Sequence, residues 1–341
     1  MGGIMFELLN YEETTKDDLF IDVRSKCEFD DFHIPGSINF PVLNDEERKI
    51  VGTLYDNGSK REAKRSAIRF VSAKLLELED LIYKHGDRRI IFTCARGGYR
   101  SKTIASLFFT LGYNVYKLKG GIKSYRHYIN EKLPEKLSKI SLVTLYAPTG
   151  SGKTEILHLL NSRNIPIIDL ENLANHMGST LGGVGLGKAN SQKMFESLLF
   201  EAIDDEPKTY FIEGESKRIG NIVMPDLLYE KILESKKIYL ETPMGARIER
   251  LKKTYAKPEL IEELEAAIEN LSKYLGKETR AAVEENMILK NYDEVARLLC
   301  EKYYDHNYRF RADEKTLFIE NDDIVKTVST LLEFYEREIV K

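Results

Sequence analysis

Two short runs hold the residues best suited to chemistry. Cys94-Ala95-Arg96-Gly97-Gly98-Tyr99-Arg100-Ser101 sets a thiol ahead of two glycines and two arginines. Ala147-Pro148-Thr149-Gly150-Ser151-Gly152-Lys153-Thr154 sets glycines ahead of a lysine and a hydroxyl. In the first, the N–H groups of a strand-to-helix turn point inward and, with the helix N-terminus, make a cradle for an anion. Gly97 and Gly98 permit that turn. The same field favours thiolate over thiol at Cys94, with Arg96 and Arg100 adding positive charge, which is the setting of a nucleophile. In the second, Gly150 and Gly152 let the backbone amides of the loop wrap a diphosphate. Lys153 supplies a point charge there, and the Thr154 hydroxyl suits a magnesium ion. The usual pattern opens on glycine; Ala147 stands there instead, which an ordinary backbone conformation accommodates.

Both runs need a strand before them and a helix after. Residues 89–93, with the apolar run Ile90-Ile91-Phe92, read as a buried strand, and residues 101–109 read as a helix; residues 140–146 and 155–160 repeat the arrangement around the second run. The second context is that of a P-loop. The first is shared by two chemistries. C-x5-R, here Cys94 to Arg100, is the signature of cysteine phosphatases, whereas C-x-x-G-x-x behind such a strand is typical of rhodaneses, which carry sulfur or selenium on the cysteine. Upstream residues favour the rhodanese. The strand-like run over residues 19–24 ends in Asp22-Val23-Arg24, Glu28-Phe29 follows, then His33-Ile34-Pro35-Gly36-Ser37-Ile38-Asn39, and residues 115–122 resemble the last strand and Gly-Gly turn of that fold.

Beyond the P-loop, strand-like runs at 165–170, 209–213 and 237–241 alternate with helical ones, which implies a mostly parallel sheet wrapped by helices. A helix-forming region over 258–301 precedes a last strand at 316–320 and a final helix. The expected fold class is α/β. A rhodanese-like domain covers 8–130, a polar linker containing Pro134 covers 131–139, and a P-loop NTPase-like parallel-sheet domain with additional helices covers 140–341.

Composition agrees with two globular domains: 341 residues, 42% of them hydrophobic, against about 100 to 200 residues per domain. The 51 basic and 55 acidic residues leave a formal charge of −4, so no overall basic signal announces a nucleic acid. Cys27, Cys94 and Cys300 are too scattered for a disulfide framework or a zinc site. No metal site is therefore expected beyond the possible magnesium at Thr154. The absence of a bilayer-length apolar run or of a signal-peptide pattern makes a reducing cytoplasm the expected location. Charge is nonetheless patchy. Lys60, Arg61, Lys64, Arg65, Arg69 and Lys74 fall in a predicted helix in which Glu62 is the one acid before Glu77. Such a face either contacts phosphates or is simply solvated.

Taken together, the two loops resemble the tRNA 2-selenouridine synthase family. The similarity continues through residues 41–48 and 51–55, through Asp169-Leu170-Glu171 and the residues up to Ser179, through Glu213-Gly214-Glu215-Ser216-Lys217-Arg218, and to Tyr303-Tyr304-Asp305. The resemblance implies replacement of sulfur by selenium at a wobble 2-thiouridine through an S-geranyl intermediate, with geranyl diphosphate and selenophosphate as co-substrates and no tightly bound cofactor. It implies tRNA as partner, and a selenophosphate-supplying enzyme beside it. Cys94, Arg96 and Arg100 would handle selenium, as the donor's phosphate and then as a perselenide anion. Thr149, Gly150, Ser151, Gly152, Lys153, Thr154 and Glu213 would hold the diphosphate. The other readings are a cysteine phosphatase fused to a P-loop kinase and a sulfur-relay module with a nucleotide switch. Asp22 reads as structural, Glu213 and Glu215 as carboxylates at a strand end, Gly178 to Gly187 as a lid or a turn-rich loop, His176 as open, and Tyr303, Tyr304 and Tyr308 as packing at a helix end.

Overall fold

The computed structural model describes residues 6–179, 181–308 and 310–340. It divides into two compact units, one running up to Leu133 with Glu196–Glu201, the other comprising Pro134–Phe195 and Ala202 onward.

The first unit is built on five strands: β1 (Leu8–Leu9), β2 (Leu19–Asp22), β3 (Ile38–Asn39), β4 (Ile90–Thr93) and β5 (Val115–Leu118). They pair in the order β1-β5-β4-β2-β3, parallel throughout. Every residue of β2 and β4 is buried, as expected of strands covered on both faces. The helices are α1 (Lys26–Asp31), α2 (Asp45–Asp56), α3 (Lys60–Ser72), α4 (Leu75–Lys84), α5 (Tyr99–Thr110) and α6 (Gly121–Lys139). Capping boxes begin α1, through Ser25 and Glu28, and α2, through Asn44 and Glu47. Phe92, Ile104 and Phe108 place β4 and α5 in one core, so the turn between them is held rigidly.

Residues 131–139, expected as a polar linker, are helical to the last residue. Leu133 and Leu137 lie one turn apart and are 5% and 1% exposed, and their burial outweighs the roughly 3 kcal/mol that an interior proline costs a helix.

The second unit has β6 (Ser141–Tyr146), β7 (Ile167–Ile168), β8 (Thr209–Glu213), a small antiparallel pair β9 (Arg218–Ile219) and β10 (Ile222–Val223), then β11 (Lys236–Glu241) and β12 (Leu317–Glu320). The main sheet is parallel, in the order β12-β11-β6-β8-β7. The chain winds from β6 first towards β7 and β8, then back towards β11 and β12. The carboxyl end of β6 is therefore a switch point, where a crevice opens in sheets of this kind.

Its helices are α7 (Lys153–Asn161), α8 (Leu170–Ala174), α9 (Gln192–Ala202), α10 (Asp226–Glu234), α11 (Met244–Tyr255), α12 (Ile261–Ser272), α13 (Lys277–Ile288) and α14 (Tyr292–Leu299). A π-helical turn, Cys300–Tyr304, leads into α15 (Asp305–Asn307), and α16 (Ile324–Glu338) closes the chain. The region over 258–301 is thus several short helices rather than one long one. Leu264, Ile268, Leu271 and Val295 pack them into a second core, to which Leu181 and Val184 of the glycine-rich stretch contribute. Among the described residues, no helix is long and apolar enough to cross a membrane.

Candidate active site: a cysteine loop and a phosphate loop

Cys94 follows β4 directly and is 3% exposed; its Sγ lies 3.1 Å from Ser101 Oγ on the first turn of α5. Gly97 takes φ +60°, which reverses the chain ahead of that helix. Below the loop, the start of α6 anchors its carbonyls: the Ile122 amide donates to Cys94 O at 2.9 Å and the Lys123 amide to Ala95 O at 3.0 Å. The approach is so close that a Cβ on Gly121 would stand 2.0 Å from Cys94 O. Only glycine fits there.

The cations around Cys94 differ from the expected set. Arg96 is exposed on the rim. Arg100 forks onto Glu28, with Nη1 2.6 Å from Oε2 and Nη2 3.1 Å from Oε1. Burial pushes the Glu28 carboxyl up, but the hydrogen bond and charge of Arg100, helped by Arg48, outweigh it and hold the group at about 2. The Arg100 charge is therefore balanced in place. Lys117 on β5, which local spacing gave no reason to single out, is 6% exposed and donates from Nζ to Gly97 O at 2.7 Å. Burial lowers its pKa, and negative charge at Cys94 works in the other direction. Asp22 is fully buried and bonded to Arg24 Nε and Nη2, so its role is to join the ends of β2 and α1, where Arg24 also donates to Phe32 O.

The phosphate loop lies between β6 and α7, with Gly150 at φ +83° and Gly152 at φ +82°. Three side chains from the last third of the chain fasten its backbone. Arg247 Nε donates to Thr149 O at 2.8 Å while its guanidinium forks onto Asp305, Asn321 Nδ2 donates to Ser151 O at 2.8 Å, and Tyr308 Oη accepts the Ala147 amide at 2.9 Å. Ala147 is fully buried, in an ordinary conformation. Tyr308 is thus a brace of the loop rather than packing at a helix end, and Asp305 gains a role from its pairing with Arg247. Lys153 Nζ bends back to Ala147 O at 3.2 Å and lies 3.9 Å from Glu215.

Carboxyls crowd the loop's other side. Thr154 Oγ1 donates to Glu171 Oε2 at 2.9 Å, and the Glu171 amide donates to Glu213 Oε1 at 2.9 Å. Burial first, and then the charge of Glu215, push Glu171 up to about 7 against the pull of Lys153 and Thr154. Burial also raises Glu215 and raises Glu213 further, the latter with help from Asp169 and Glu171. Glu213 Oε2 is buried with no hydrogen-bond partner among the described residues. Burying several carboxyls together favours their protonated, uncharged forms. Glu213, expected to touch the ligand, lies behind Glu171 and does not line the cleft, whereas its neighbours Glu171 and Glu215 do, along with Glu155, Asp322 and Asp323.

That cleft has a volume of about 1440 Å³. One wall is the phosphate loop with Arg250, whose Nη1 is buried without a partner beside Gly152; another is apolar, with Met177, Leu251, Tyr255 and Tyr304. A smaller cavity of about 40 Å³, lined by Leu181, Leu264, Ile268 and Leu299, shares Thr149, Ser179 and Tyr255 with it. The glycine-rich stretch borders both and is anchored by buried Leu181 and Val184, with Gly178, Gly185 and Gly187 at positive φ; Thr180 lies outside the described residues. His176 is packed against Gly220, its Nδ1 buried without a partner and its pKa lowered by burial. It does not line the cleft.

The family described as tRNA 2-selenouridine synthase AAA domain matches residues 140–338, and the rhodanese-like domain matches residues 7–128. Proteins named tRNA 2-selenouridine synthase are similar along much of the chain. The one from Nitrosomonas europaea is 31% identical over 70% of this chain and 64% of its own length. That from Bdellovibrio bacteriovorus is 31% identical over 79% and 70%, and that from Sulfurovum sp. 29% identical over 86% and 88%, respectively. With both domains matched in the order in which the two loops occur, the chain belongs to the tRNA 2-selenouridine synthase family.

Proposed function

We propose that this chain is a transferase that replaces sulfur by selenium at C2 of a wobble 2-thiouridine in tRNA. In the first step the thiocarbonyl sulfur attacks C1 of geranyl diphosphate; the S–C bond forms, the C–O bond breaks and diphosphate leaves. In the second, selenium from selenophosphate attacks C2; the C–Se bond forms, the C–S bond breaks and geranyl thiol leaves, while water takes selenium's place on phosphorus. Alkylation makes the exchange feasible because a thiol departs more readily than a sulfide anion.

One observation carries the reading: a phosphate loop and an apolar wall line the same cleft. An isoprenoid diphosphate has those two ends. Lys153, the loop amides and Arg250 are placed to stabilise charge developing on the leaving diphosphate. Thr154 and Glu171 offer oxygens of the kind magnesium takes beside diphosphate oxygens. The Cys94 loop, with its amides, Arg96 and Lys117, suits the phosphate and the anionic selenium of the donor, and the Cys94 thiol supplies the proton with which geranyl thiol leaves, regaining one from the water that attacks phosphorus. The phosphatase alternative loses support from Arg100, whose fork is held by Glu28. A cytoplasmic setting, with a selenophosphate-supplying enzyme as neighbour, completes the proposal.

Nucleoside mass spectrometry of 2-thiouridine tRNA incubated with the protein, geranyl diphosphate and selenophosphate tests it. The expected result is S-geranyl-2-thiouridine without the selenium donor and 2-selenouridine with it. Neither product appearing, with tRNA bound, refutes the reading.

A further inference from the structure

The solvent-facing half of α3 carries a row of cations that are not ion-paired among the described residues. At 100° per residue, Lys60, Lys64, Arg61, Arg65 and Arg69 sweep one side of the helix, with Ile68 among them at 68% exposure, while Ala63 on the other side is buried. All five cations are exposed, and among the described residues none of them has a carboxylate within ion-pair distance. This is unusual in a chain with 55 acidic residues to 51 basic ones. Lys74 differs: α3 ends at Ser72, and Lys74 sits at the start of α4, bound to Glu47 on α2. Lys60 also lies over the exposed Tyr55 ring, 5.8 Å from its centre, so the edge of the face is an aromatic with a cation upon it.

The position of this face gives it direction. α3 is the second arm of a hairpin whose first arm is α2, and Arg48 of α2 lies 3.5 Å from Glu28, the carboxylate that also holds Arg100 of the cysteine loop. The hairpin is thereby tied to the rim on which Cys94 opens.

We infer that the α3 face of the α2–α3 hairpin is a docking surface for the phosphate backbone of an RNA, holding it beside the Cys94 loop; the inference rests on the proposed action on tRNA. From residue 60 to residue 69 the helix extends about 14 Å, enough to meet several backbone phosphates in succession. Lysine and arginine at one-turn spacing bind phosphate without reading bases, so the surface serves any tRNA and leaves the choice of uridine to the cleft. Counterions released from the RNA supply the driving force.

The test is the salt dependence of tRNA binding, measured by fluorescence anisotropy between about 50 and 200 mM salt. Two variants are compared with the wild-type chain, Lys60→Ala/Arg61→Ala/Lys64→Ala/Arg65→Ala and the milder Lys64→Gln/Arg65→Gln, each checked for its fold by circular dichroism. The fourfold variant is expected to bind at least tenfold more weakly at low salt, equally for cognate and unrelated tRNAs, with a log–log slope shallower by about three. The double variant should lose about half of that. An unchanged slope in both variants overturns the inference and leaves α3 a solvated face or a site for an acidic protein, and a loss confined to one tRNA overturns it equally. Failure of the proposed reaction reads differently: wild-type protein binds tRNA with the steep slope and converts no 2-thiouridine.

Discussion

The cysteine loop and the phosphate loop are the same local device, a buried parallel strand turning through glycines into a helix, yet the carboxyls beside them are driven in opposite directions. Glu28 is held at about 2 by two arginines, a permanent ion pair that does not change over any ordinary pH. Glu171, buried against Glu215, is raised to about 7, where it gains and loses its proton near neutrality. The lesson is that loop shape supplies the N–H groups, whereas the elements packed around the loop decide whether its charge is fixed or exchangeable. A loop that presents a nucleophile has a constant field. The phosphate loop is lined by carboxyls able to take up or release a proton as the charge of a ligand changes.

Three experiments sharpen this contrast. The largest effect is expected from Cys94→Ser, which should abolish 2-selenouridine formation while S-geranylation proceeds, both read from the same nucleoside digests. Near wild-type selenation by the serine variant would remove Cys94 from the mechanism. Next, Lys153→Ala should slow geranyl transfer by about 100-fold to 1000-fold, the size of effect seen when one stabilising group is taken from developing charge, with Arg250→Ala milder. Selenation of pre-geranylated tRNA should suffer less in both. Equal loss of the two steps, at an unchanged melting temperature, would argue against a division of labour between the loops.

The smallest effect concerns stability. A carboxyl raised from 4.5 to about 7 on folding holds its proton in the native state at pH values where the unfolded chain has lost it, so its contribution to stability falls as pH rises from about 4.5 to 7. Glu171→Gln should remove that slope and raise the melting temperature at pH 8, by an amount equivalent to about 3 kcal/mol at most. Thermal melts of both proteins across this range check it. Parallel curves would place the raised titration on Glu213 or Glu215.

Much of this arrangement is legible in the sequence because it is local. The strand, glycines and helix around Cys94 and around Lys153 are contiguous, and their apolar runs show as buried strands. What spacing could not reveal are the partners that arrive from afar. Lys117 looks like any residue of a strand until the sheet brings it beneath Gly97, and Arg247, Tyr308 and Asn321 look like surface residues until their helices and loops fold back on the phosphate loop. Arg100 looked free because Glu28, its partner, is 72 positions away. The helical span over 131–139 was hidden for another reason: the eye stops at Pro134, whereas Leu133 and Leu137 give the true period. Glu213 stands out in the sequence because it ends an apolar strand, but position in a sheet does not say which oxygen faces the cleft.

The bond from Asn321 to Ser151 spans 170 residues. At a synthesis rate of about 5 to 20 residues per second, the ribosome makes the phosphate loop roughly ten to thirty seconds before it makes the last of the side chains that fasten it. Through that interval the cysteine loop, whose anchors in α6 lie close behind it, is already complete. The nascent chain therefore completes its cysteine loop first and its phosphate loop last. A chain cut short before Asn321 would carry a finished rhodanese fold and a phosphate loop that lacks the last of its three fastenings.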